Sequence, residues 1–110
     1  MPTTFTSYGN LNGTTPVLLQ AKPDQGSLLV RELFFRNLDT QPVGIHVYVT
    51  NGITDVEVSA GLLRQGYSLQ LSQNEIIILN TSTDLYAVLD ADPETTNPTY
   101  KLGFAYENSV

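Results

Sequence analysis

The sequence predicts an all-β protein: a single antiparallel β-sandwich of jelly-roll or Greek-key type, with about eight strands and an irregular N-terminal arm. Three observations carry that prediction. Apolar residues recur with period two, and the 3.6-residue spacing of an amphipathic helix is nearly absent. Gly, Pro, Asn and Asp interrupt the alternating runs at intervals of roughly ten residues, which is the spacing of strands in a sandwich or barrel. The chain has 110 residues and no cysteine, so it is long enough to bury a core and must rely on that core rather than on disulfides.

Residues 1–15 read as the arm and residues 16–110 as the sandwich domain. The arm carries Phe5, Tyr8 and Leu11, spaced for docking on an apolar surface. The strands are expected at Pro16–Gln20, Ser27–Asn37, Val43–Thr50, Ile53–Ser59, Tyr67–Leu71, Glu75–Leu79, Asp84–Asp90 and Thr99–Glu107. Asn51-Gly52 favours a two-residue type I′ turn, in which both residues take positive φ. That turn makes Thr50 face Ile53, Tyr48 face Asp55 and His46 face Glu57. Ile45, Val47, Val49, Val56 and Val58 then form a core face, and His46, Tyr48, Asp55 and Glu57 an outer one.

Leu85–Leu89 is apolar on both faces, which places it in the middle of a sheet. The closing strand alternates Tyr100, Leu102, Phe104 and Tyr106 against Lys101, Gly103, Ala105 and Glu107. Ser27–Asn37 breaks the rule. Leu29, Leu33 and Phe35 share one face with Arg31, while Leu28, Val30 and Phe34 share the other with Glu32 and Arg36. Such a strand either contains a bulge, or is covered on its second face by another subunit or by the arm.

Charge narrows the function. The formal net charge is −6, and the five cations, Lys22, Arg31, Arg36, Arg64 and Lys101, are scattered. Nucleic acid and anionic membranes need clustered positive charge, so neither is an expected partner. Uninterrupted apolar runs such as Ile76–Leu79 are far too short to cross a bilayer. No signal peptide is expected from MPTTFTSYGNLNG.

No catalytic site assembles. The lone histidine, His46, lacks a nucleophile in any elbow context and reads as a cross-strand partner of Glu57. One His without Cys makes no zinc site, and no cofactor is implied. Asp90, Asp92 and Glu94 supply oxygen ligands of the kind calcium takes, but Pro93 interrupts them and they read first as a solvated turn. Tyr100, Phe104 and Tyr106 read as core, with a sugar-stacking platform or a subunit interface as alternatives. Asn12-Gly13-Thr14 and Asn80-Thr81-Ser82 match the glycosylation sequon by chance.

Three stretches carry a resemblance: LLVRELFFRN followed by VGIHVYVT, then GYSLQLSQNEIIILNTSTDLYAVLDAD, then YKLGFAYE. Their layout, over Leu28 to Glu107, resembles the small β-sandwich virion proteins of tailed bacteriophages, which decorate capsids or attach at the neck and tail. The resemblance implies a non-enzymatic capsid decoration (cement) protein. It would bind the major capsid protein or other virion proteins and stabilise the shell. It would be made in the host cytoplasm, end in the virion, and form a dimer or trimer. A tail, neck or baseplate component, or a carbohydrate-binding adhesion module, are the alternatives. The residues expected to meet a partner are Phe5, Tyr8, Leu11, Arg31, Arg36, His46 and Tyr48. On this reading the arm is a clamp that can be deleted without unfolding the sandwich.

Overall fold

A computed structural model describes residues 4–65, 68–70 and 77–107. They form nine strands: β1 Thr4–Asn10, β2 Val17–Gln20, β3 Ser27–Arg36, β4 Val43–Thr50, β5 Asp55–Leu63, β6 Ser68–Gln70, β7 Ile77–Leu79, β8 Asp84–Leu89 and β9 Thr99–Glu107. One sheet runs β1-β9-β3-β6, and the other β2-β8-β4-β5. β6 pairs with Phe34–Arg36 and β7 with Leu28–Val30, so the two short strands form one edge in two pieces. Most connections cross from one sheet to the other, and β4–β5 is the hairpin between long strands of one sheet. This is the strand order of a jelly roll. Of the expected strands Tyr67–Leu71 and Glu75–Leu79, Tyr67, Leu71, Glu75 and Ile76 lie outside the described residues.

The core lies between the sheets. Leu28, Val30, Leu33 and Phe35 of β3 face Ile45 and Val47 of β4 and Leu85, Ala87 and Leu89 of β8, with Leu63, Leu79 and Leu102 closing the layer. β8 sits between β2 and β4, as its two apolar faces require. The conflicting faces of β3 are resolved by a bulge. Its register against β9 shifts between Val30 and Glu32, leaving Arg31 as the extra, exposed residue. The apolar phase therefore changes from Leu28 and Val30 to Leu33 and Phe35 while all four stay inside.

Two expectations fail. The first is the arm. Thr4–Asn10 is a strand, paired residue for residue with Ala105–Thr99 of β9. Leu11 is 2% exposed in the core and donates its N–H to Pro98 O at 2.8 Å. Burying a leucine contributes about 1.5–3 kcal/mol, and β9 offers an otherwise open row of backbone groups. The segment is therefore part of the sandwich. The second is the hairpin. Thr50 faces Asp55, so residues 51–54 form the turn. The Asn51 carboxamide accepts from the N–H groups of Ile53 and Thr54, which holds a wider turn. Gly52 alone in this turn has positive φ, at 90°. Tyr48 consequently faces Glu57, and a register shift follows between Val47 and Tyr48. Val56, expected in the core, is turned out, and Leu63 is buried instead.

A buried polar pair ties the loops at one end. Asn37 donates to Leu63 O and Gln41 O and accepts from the Asp39 N–H. Asp39 accepts from the backbone N–H groups of Glu94, Thr95 and Thr96 and from the Thr95 hydroxyl. These donors hold the Asp39 carboxyl well below the usual carboxylate range, the Thr95 hydroxyl first and against the opposing effect of desolvation. The β3–β4 loop thus gathers the end of β5 and the turn leading into β9.

Two outcomes follow from this packing. Leu11→Ala loses about 2–5 kcal/mol in urea unfolding, as a core leucine does and an arm residue does not. Asp39 has a folded pKa below its unfolded one, so its stabilisation is complete above pH about 4 and is lost as pH falls below that value. Asp39→Asn therefore unfolds at lower urea than wild type at pH 7, and the gap closes as pH is lowered from 5 to 2. A gap that stays constant with pH rules the carboxylate out as the clamp.

Candidate functional site

The outer face of the β1-β9-β3 sheet brings two of the expected contact residues together. Tyr8 lies opposite Lys101 of β9, and Lys101 opposite Phe34 of β3. One step along, Asn10, Thr99 and Arg36 form the next row. These side chains line a shallow, largely apolar groove of about 430 Å³. Tyr8 is 71% exposed. Lys101 Nζ lies 3.4 Å from Glu32 Oε1, a half-exposed pair of small energetic weight. Arg36 is exposed and enters no ion pair among the described residues. A glycine shapes the inward side of the same edge, where Tyr100 packs against the core. A Cβ on Gly9 would stand 2.7 Å from the Tyr100 ring, so only glycine lets that ring lie across β1.

The bulge makes this surface possible. With Arg31 looped out, Phe34 and Arg36 point away from the core instead of into it. Arg31 itself is exposed at the bulge. Phe5 lies opposite Phe104, and its side chain falls outside the described part of the structure. Leu11 is a core residue and offers no contact surface.

His46 and Tyr48 lie on the opposite side of the sandwich, on the outer face of the second sheet. Tyr48 is opposite Tyr86, which is opposite Leu18. The two tyrosine rings stack with centroids 5.7 Å apart and planes 11° from parallel. Burial raises the Tyr48 pKa, with Asp55 and Tyr86 adding to the shift. His46 Nδ1 pairs with Glu57 Oε1, and its Nε2 lies 4.0 Å from Asp90 Oδ2. The sequence expectation of a His46–Glu57 pair holds, though on a diagonal, since His46 faces Ala60 in register. Of the seven expected residues, the six whose side chains are described therefore divide between two opposite faces and the core.

The acidic loop is engaged by backbone groups of distant segments. Asp92 accepts from the Thr14 N–H and Asp90 from the Gly44 N–H. Among the described residues no three acidic or histidine side chains converge as a metal site. Asn80, in the second sequon, accepts from the Ser82 N–H and shapes the β7–β8 turn. The groove was partly hidden from sequence reasoning because Phe34 and Lys101 sit on strands read mainly for their core faces. The signal available was the phase change across Arg31.

No protein-family model matches this chain, and no curated protein matches it. The fold does match solved structures. A chain of Bacillus endospore appendages, which form a family of disulfide-linked pili, superposes with a TM-score of 0.56 at 14% identity, over 99% of this chain and 88% of that one. A chain of infectious bursal disease virus, Gx strain, superposes with a TM-score of 0.57 at 16% identity, over 99% of this chain and 34% of that one. This chain spans about a third of the viral chain it resembles. At these identities the likeness is one of fold, and it supports the β-sandwich of the virion-protein resemblance without extending to tailed bacteriophages in particular.

Proposed function

We propose that this chain is a non-enzymatic structural subunit of a virion, a capsid decoration protein that packs against the major capsid protein. The observation that carries the proposal is the groove between Tyr8, Phe34, Arg36 and Lys101. Tyrosine and arginine are the side chains that most often anchor protein interfaces, because they combine large contact area with a polar end. Here two cations of an acidic protein flank an aromatic floor, a composition suited to an acidic or carbonyl-rich protein surface. The second outer face, with Leu18, Tyr86 and Tyr48, gives the sandwich another apolar strip on its far side. A sandwich with contact surfaces on both faces suits a piece placed between neighbours. The fold likeness to a pilus chain and a virus chain supports a role in assemblies. The sequence given has no cysteine, so assembly through disulfides, as in the pili, is not open to these residues.

Arg36→Ala is expected to weaken co-sedimentation with undecorated phage shells by about thirtyfold, the loss of one interface anchor, with no change in thermal midpoint. Wild-type protein that ignores the shells sinks capsid decoration. Binding to tail or baseplate particles, or to immobilised glycans, then decides between the remaining readings.

A further inference from the structure

We infer that the free edge of β1 pairs with the same edge of a second copy of this chain, antiparallel and about a twofold axis. The inference goes beyond the proposed function and does not rest on it.

An open strand edge presents unpaired N–H and C=O groups to any extended backbone, and proteins usually protect such edges with charge, proline, bulges or shortness. The edges of this sandwich can be compared one by one. β5 carries Asp55 and Glu57, and its pairing is broken by a register shift. β2 has four residues, follows directly on Pro16, and shifts register between Leu18 and Gln20. β6 and β7 have three residues each. β1 carries none of these devices. Its seven residues, TFTSYGN, contain no charge and no proline, and its register with β9 is unbroken. Among the described residues no strand covers its outer edge.

The same features select the partner. Two copies, each of net charge −6, repel one another over most of their surfaces. β1 is an uncharged strip at which they can approach. An antiparallel twofold pairing places that strip against itself, so it introduces no charged group on either side. The exposed side chains of β1, Thr6, Tyr8 and Asn10, share one face. With the axis at Ser7, Tyr8 of one copy meets Thr6 of the other, an aromatic–β-branched pair of the kind that stabilises sheets. The two β1-β9-β3-β6 sheets then become one continuous sheet.

Light scattering of the full chain across a concentration series is expected to show a mass rising from 12.1 kDa toward twice that value. Hydrogen exchange of the β1 amides should slow over the same range. Two double variants, Thr6→Lys with Tyr8→Lys and Thr6→Glu with Tyr8→Glu, place like charges opposite each other. Each should dimerise about tenfold more weakly or not at all. Mixed in equal amounts they should recover the dimer mass. Arg36→Ala should leave the dimer intact, which separates this interface from shell binding. A monomer at all concentrations overturns the inference. So does a dimer that survives in both charged variants, or a pair of variants that stays monomeric on mixing. Should a charged variant fail to fold, the concentration dependence of wild-type exchange still decides, and unchanged β1 exchange in a dimer overturns it.

Discussion

The bulge at Arg31 is the constraint on which the rest of this sandwich depends. β3 pairs with β9 on one side and with β6 and β7 on the other, and it supplies Leu28, Val30, Leu33 and Phe35 to the core. Without the extra residue, one of those two pairs would face outward. Each buried side chain contributes about 1.5–3 kcal/mol, so the misplaced pair would forfeit about 3–6 kcal/mol. A domain of this size is stable by only about 5–15 kcal/mol. The same phase change turns Phe34 and Arg36 outward beside Lys101. The core and the groove are therefore two results of a single backbone irregularity.

At one end of the sandwich the constraint is polar. Asn37 and Asp39 are both buried, and their bonds reach β5, the β3–β4 loop and the segment before β9. Buried polar groups are tolerable when their bonding capacity is satisfied, and these two bond to backbone groups of the loops they join and to the Thr95 hydroxyl. Asp90 and Asp92 act in the same way nearer the surface. The acids that looked like ligands for an ion thus hold loops in register, and the loops in turn set where β9 begins.

How much of this was legible in the sequence can be judged residue by residue. β4 and β9 were placed to their terminal residues, because strict alternation and flanking turn residues fix both. The strand β8 was placed centrally because it is apolar on both faces. The bulge stood as one of three open explanations, since covering by a second chain predicts the same pattern. β1 was missed because TFTSYGN has a weak apolar alternation and its partner lies some ninety positions away, beyond any local signal. The hairpin was misread because the Asn51 side chain, and not the Asn-Gly backbone preference, selects the turn. Tyr8 and Arg36 were named from chemistry alone, and only pairing through β9 shows that they share a surface. Leu11 was given to a partner because an isolated leucine in a polar segment gives no hint of what it packs against.

The pairing of β1 with β9 has a further consequence, for the order in which the molecule can be made. Residues 4–10 find their ladder only in residues 99–105, so the first strand waits for the last to leave the ribosome. The strand order makes most other pairings distant as well, and chains with such topology fold slowly. During that interval β1 and β3, the two strands that β9 will join, present bare edges to other nascent chains. The absence of charge on β1 then leaves only speed of closure, or early capture by a sister chain, to keep an incomplete sandwich from growing into an aggregate.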